Sequence, residues 1–100
     1  MRDPGKLARV MIAAASKPML PRHIKLRHDA MRDRWIVLAP ERVFSPDAIA
    51  LAVLQLCDGE RTVDDIAEEL ALIYSAPKAR ILGDIAVMLQ DLADKGVVTA

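Results

Sequence analysis

Two hydrophobic periods divide this chain. From His23 to His28, polar and apolar side chains alternate. Ile24, Leu26 and His28 fall on one side, with His23, Lys25 and Arg27 on the other, which predicts a half-buried strand. Asp29 to Asp33 is mostly polar and reads as a hairpin loop. Arg34-Trp35-Ile36-Val37-Leu38 is an apolar run rich in strand formers and predicts a central strand. Ala39-Pro40-Glu41-Arg42 sets a proline at the second position of a tight turn, where its fixed φ fits. Arg42-Val43-Phe44 is then a short third strand, expected at a sheet edge.

After Phe44 the period becomes helical. Ser45-Pro46 is expected to open helix one, a capping hydroxyl followed by proline at the first helical position. Ile49, Val53 and Leu56 are its expected inner face, and Gly59 suits the turn that stops it. Thr62 and Asp65 form a short-acid capping box. Ile66 and Leu70, then Ile73 or Tyr74, make the inner stripe of helix two. Ser75-Ala76-Pro77 breaks that helix and is expected to cap helix three, which Gly96 ends. Val97-Val98 is expected to pack back on the domain. Strands followed by helices predict an α+β fold, a small winged-helix-like domain with a three-stranded antiparallel sheet followed by three helices.

Composition narrows the function. The chain has 100 residues, 53% hydrophobic and 28% charged, which excludes a disordered tail and allows one domain. Trp35, Phe44 and Tyr74 are the only aromatic side chains, too few stacking platforms for a single-strand nucleic-acid reader. A single cysteine, Cys57, excludes an internal disulfide framework and reads as a small core residue. His23 and His28 lie five apart on one strand and point to opposite faces, a poor start for a metal site. No glycine-rich phosphate loop and no nucleophile–base constellation supports an enzyme. No apolar run approaches membrane-spanning length. Arg2, Lys6 and Arg9 precede a six-residue apolar run, Val10 to Ala15, shorter than a secretory signal needs. Residues 1–20 are therefore expected to be a flexible extension, and residues 21–100 the domain. Residues 1–45 hold ten basic and four acidic side chains, a net of +6, and residues 46–100 four basic and ten acidic, a net of −6. Such a dipole steers partners without naming one.

Helix three is the most informative segment. Ile81, Ile85, Met88, Leu89 and Leu92 form an inner stripe, and Arg80, Asp84, Asp91 and Lys95 mark the far side. A second row, Leu82, Ala86, Leu89 and Ala93, flanks the first. Together the rows exceed the ~100° face that one small core requires. The surplus either lines a groove against the edge strand or packs under the hairpin or in a dimer contact. A winged helix also suggests DNA binding, but Asp84, Asp91 and Asp94 on the would-be recognition helix would face phosphate repulsion.

Val37-Leu38-Ala39-Pro40-Glu41-Arg42, then Leu56-Cys57-Asp58-Gly59, then Asp84-Ile85 with Leu89 and Leu92, and finally Gly96-Val97-Val98, resemble the coenzyme PQQ synthesis protein D family over roughly residues 20–98. The resemblance implies a non-catalytic, cytoplasmic peptide chaperone without a cofactor in pyrroloquinoline quinone biosynthesis. It would bind the precursor peptide PqqA and present it to the radical-SAM enzyme PqqE, which cross-links a Glu and a Tyr of that peptide. Related domains bind a leader peptide as an added strand beside their third strand, over the third helix. The expected site is therefore Arg42, Val43 and Phe44 as the edge, floored by Leu82, Ile85, Ala86 and Leu89. Arg27, Arg34 and Arg42 would attract an acidic peptide segment. An exposed edge also invites pairing of two copies. The alternatives are a winged-helix DNA-binding protein and a structural subunit of a larger enzyme complex.

Overall fold

The computed structural model describes residues 10–100 of the chain; the basic positions Arg2, Lys6 and Arg9 lie outside the described residues. Three strands form an antiparallel sheet in the order β1 (Lys25–Asp29), β2 (Arg34–Ala39) and β3 (Arg42–Phe44). Leu26, Val37 and Phe44 lie in one cross-strand row and Lys25, Leu38 and Val43 in the next. Side chains alternate between faces along a strand, so these two rows point opposite ways. The first row faces the core: Val37 is buried, and Leu26 and Phe44 pack against the buried cluster.

Three helices follow: α1 (Ala48–Leu56), α2 (Val63–Tyr74) and α3 (Lys78–Asp94). The cap of α1 is Asp47, not Ser45: its Oδ1 accepts the Ala50 N–H at 2.8 Å. A carboxylate one residue beyond Pro46 takes the cap, and the helix begins at Ala48. Its buried residues are Val53 and Leu54, and Ile49, expected inside, is 53% exposed. Helix α2 starts at the expected capping box. Thr62 Oγ1 accepts from Asp65 N and Asp65 Oδ2 accepts from Thr62 N, each at 3.0 Å. Val63, Ile66, Ala67 and Leu70 are buried. Ile73 and Tyr74 are exposed, because the helix runs past the core in its last turn. Ser75 ends it in the left-handed conformation.

Helix α3 begins after Pro77 without a side-chain cap. It buries Ile85 and Leu89 in the centre of the domain, with Ile81, Leu82, Met88 and Leu92 packed around them. Each fully buried aliphatic side chain contributes roughly 1.5–3 kcal/mol. Gly96, at φ +79°, turns the chain out of α3. Val97 and Val98 then return to the core. Cys57 is buried among these groups, its Sγ–H donating to the Val53 carbonyl at 3.2 Å. Burial, reinforced by the Asp58 carboxylate, pushes its thiol up to about 12, so at neutral pH it is a protonated core side chain.

Residues 10–20 depart from the expectation of a flexible extension. Pro18 is fully buried, and Ile12 and Leu20 pack against the core. The carbonyls of Ala14 and Ser16 accept from Asp64 N and Val63 N at 3.0 and 2.8 Å, satisfying helix-start N–H groups that have no partner within α2. Met19 exchanges two backbone hydrogen bonds with Thr99, at 2.7 and 2.8 Å. Gly59, at φ +79°, lies so near Met19 that an added Cβ would stand 3.3 Å from its sulfur. Gln90 of α3 donates from Nε2 to the Val10 carbonyl and accepts at Oε1 from Ile12 N, both at 2.9 Å. These residues form a strap whose backbone is part of the domain. Hydropathy alone misses it, because backbone carbonyls and one glutamine hold much of it.

Candidate peptide-binding site

The chain reverses after β2 at Pro40-Glu41, which forces β3 back along β2. Strand β3 pairs with β2 alone, so its outer side is a free edge among the described residues. An extended peptide can add to such an edge through main-chain hydrogen bonds, while side-chain pockets give selectivity. Alternation along β3 divides its residues. Phe44 faces inward and is half-buried. Arg42 shares its face, the guanidinium carbon 4.9 Å from the centroid of the Phe44 ring. This is a cation–π contact that leaves the charge beside the edge. Val43 points the other way and is 61% exposed.

Beside Phe44 opens a cavity of about 180 Å³, lined by Val37, Ser45, Pro46, Ala50 and Leu54 and, from the end of α3 and beyond, Leu92, Lys95 and Val97. A second cavity, of about 420 Å³, lies farther along α3 among Asp47, Ile49, Leu70, Tyr74, Ala76, Arg80, Ile81, Asp84, Ile85 and Met88. Ile81, Asp84, Met88 and Leu92 of α3, with Lys95 at its C-cap, form one ridge at steps of three and four residues. That ridge runs roughly 21 Å at 1.5 Å per residue, the span of about six extended residues. Its centre is apolar. Arg80 and Asp84 stand at one end and Lys95, paired with Asp91 at 2.9 Å, at the other.

The expected floor residues separate in this geometry. Ile85 lines the larger cavity but is itself only 2% exposed, and Leu89 is fully buried as core. Leu82 and Ala86 are half-buried and line neither cavity. They sit on the other flank of α3, in line with Gln90, which holds the strap. Sequence reasoning missed Leu92, Lys95 and Val97 as neighbours of Phe44. Arg27 and Arg34, on β1 and at the hairpin end of β2, are also remote from β3's free edge. Lys78, which a DNA reading would place on phosphate, is tied to Asp64 at 2.9 Å. Among the described residues, no helix is long and apolar enough to cross a membrane.

Known proteins share this arrangement. The family model of coenzyme PQQ synthesis protein D matches residues 34–98. The PqqA binding protein of Bradyrhizobium diazoefficiens is 56% identical over 90 residues, covering 90% of this chain and 87% of that protein. The bifunctional coenzyme PQQ synthesis protein C/D of Methylorubrum extorquens is 48% identical over 81 residues, 81% of this chain but 22% of the longer protein. The solution structure of the PqqD truncation of Methylobacterium extorquens PqqCD, described as a stand-alone RiPP recognition element, superposes with a TM-score of 0.76 at 44% identity, covering 89% of this chain and 95% of that one. The crystal structure of PqqD from Xanthomonas campestris superposes with a TM-score of 0.54 at 38% identity, covering 86% and 96%. The sheet, the three helices and the ordered sequence motifs thus agree with one assignment: the chain belongs to the coenzyme PQQ synthesis protein D family.

Proposed function

We propose that this protein is a non-catalytic chaperone for a ribosomal precursor peptide. It binds PqqA in pyrroloquinoline quinone biosynthesis and presents it in the cytoplasm to the radical-SAM enzyme PqqE. The observation that carries this reading is the free edge of β3 beside the apolar cavity at Phe44 and Leu92, with a second cavity farther along the same ridge of α3 at Ile81 and Met88. The names of the relatives support the choice of peptide. The peptide adds as a strand next to Arg42–Phe44, and its inward side chains enter the groove over Phe44, Leu92 and Met88. Arg42 and Lys95 offer positive charge to a carboxylate of the peptide, and no group of the chaperone takes part in chemistry. Of the residues expected from sequence, Arg42, Val43 and Phe44 keep their role as the edge. Ile85 and Leu89 support the groove from within the core, and Leu82 and Ala86 take no part.

Isothermal titration with a synthetic PqqA peptide tests this. Saturable binding is expected, lost in Phe44→Asp while circular dichroism still reports the helices. Unchanged affinity in that variant would refute the groove assignment. Sedimentation velocity on the same samples decides whether one copy or two binds each peptide.

A further inference from the structure

The sheet has a second face that the peptide groove does not use. Its outward row carries Lys25, Leu38 and Val43, with Arg27 opposite Ile36 in the next outward pair. Val37 and Ala39 of β2 belong to or pack on the core, whereas Ile36 and Leu38 of the same strand do not. Both are half-buried and lie outside the core cluster. Ile36, Leu38 and Val43 thus make an apolar stripe on the outside of the domain, and Lys25 and Arg27 border it along β1. Both cations are exposed and form no ion pair among the described residues. Alternation also places Asp29 on this face, opposite Arg34 at the hairpin end. A single apolar side chain on a surface needs no explanation, but a strand apolar on both faces, its half-buried Ile36 and Leu38 lying beside a Val43 that is 61% exposed and bordered by two exposed cations, has the form of an interface.

We propose that this outer sheet face docks the enzyme that modifies the bound peptide, through an enzyme surface that is apolar at its centre and acidic at its rim. The inference rests on the peptide-presenting reading above. Continuity with the peptide edge selects this occupant. A peptide added beside β3 extends the same sheet, so its side chains alternate between the groove and the outer face. Those directed at Phe44 and Leu92 are held. Those beside Val43 stand on the outer face, where a protein seated over Leu38 and Ile36 reaches them without removing the peptide from its groove. One face of the sheet therefore binds while the other displays. A second copy fits this face less well, since stacking two such sheets brings two sets of Lys25 and Arg27 together in a desolvated contact.

The test uses the full chain, a synthetic PqqA peptide and the purified radical-SAM enzyme PqqE. Lys25→Glu/Arg27→Glu reverses the rim on exposed positions two strands, or ~10 Å, from β3's free edge. The expected result is enzyme affinity lowered ~10-fold or more by surface plasmon resonance, with peptide affinity unchanged by calorimetry. Wild-type affinity for the enzyme in the double variant would overturn the proposal, as would loss of both affinities together or no enzyme binding by the wild type. A wild-type dimer that Leu38→Ser converts to monomer, with enzyme affinity intact, would assign the face to a second copy and also overturn it. Failure of the wild type to bind peptide is read separately and strikes at the peptide-presenting function itself.

Discussion

Replacing Gln90 with alanine removes the side chain that holds the first described turn of the strap against α3. Its carboxamide donates to the Val10 carbonyl and accepts from the Ile12 N–H, each at 2.9 Å, in a partly buried setting. Hydrogen bonds of this kind contribute ~0.5–1.5 kcal/mol net apiece. The freed backbone groups regain water once the strap lifts, so the pair together is worth ~1–2 kcal/mol, a ~5–30-fold rise in the open population. The strap also closes on the start of α2, where Ser16 and Ala14 accept from Val63 and Asp64. Amide hydrogen exchange at Val63 and Asp64 therefore reads the opening more than one helix turn of structure away from the mutation. Faster exchange at both amides, with Leu89 in the core unaffected, is the expected pattern. Gln90→Glu keeps an acceptor for Ile12 but places a carboxylate beside the Val10 carbonyl and near Asp94, which Gln90 now donates to at 3.0 Å. It should open the strap at least as much. Unchanged exchange at Val63 and Asp64 in Gln90→Ala would refute the idea that residues 10–20 act as one docked unit.

Three further outcomes follow from the same geometry. Leu92→Ser should weaken peptide binding by ~10-fold or more, whereas Leu82→Ser, on the other flank of α3, should leave it unchanged when both are titrated well below their melting temperatures; the reverse order would return the groove to Leu82. Ser75→Gly should raise the urea midpoint, since a left-handed non-glycine residue costs ~1–2 kcal/mol and glycine's extra chain entropy returns only ~0.5–1 kcal/mol of that; Ser75 sits at φ 51°, ψ 45°. The backbone N–H of Thr62 holds the Asp65 carboxyl below the usual carboxylate range. Its stabilising effect is complete above the unfolded value near ~3.9 and is lost as pH falls through the lower folded value, so Asp65→Asn should flatten the acid limb of a pH-dependent melting curve.

Much of the architecture was legible because local signals agreed with one another. Alternation marked β1, Pro40 marked the turn into β3, the Thr62–Asp65 box marked the start of α2, and Gly96 marked the end of α3. The errors have a common physical source. A hydrophobic stripe states that a helix face is covered, not by what. For α3 the rows on both flanks of Ile85 and Leu89 are apolar, and composition cannot say which flank meets the sheet side. Ile49 and Tyr74 sit where helical spacing places core residues, yet they rim a cavity because α1 and α2 diverge from the core there. The strap escaped notice for a different reason. Its partners are main-chain groups of Gly59, Val63, Asp64 and Thr99 and the side chain of Gln90, contacts that exist only once residues distant in sequence meet.

The excess apolar width of α3 is resolved by giving each of its flanks a separate task. The central row, Ile85 and Leu89, is core. One flank packs Leu82 against that core and, farther along the helix, pins the strap through Gln90. The other flank, Ile81, Met88 and Leu92, opens on the two cavities next to β3 and α1. An α3 with both flanks bare would offer an extended peptide two apolar tracks of opposite orientation relative to the sheet edge. Occupying one flank from within the chain leaves a single track, and that track runs beside the one strand able to supply backbone hydrogen bonds on the groove side. Under the proposed mode of binding, the choice of peptide register then depends on the strap. A chain that loses the strap should bind the same peptide more weakly and with less discrimination between its registers.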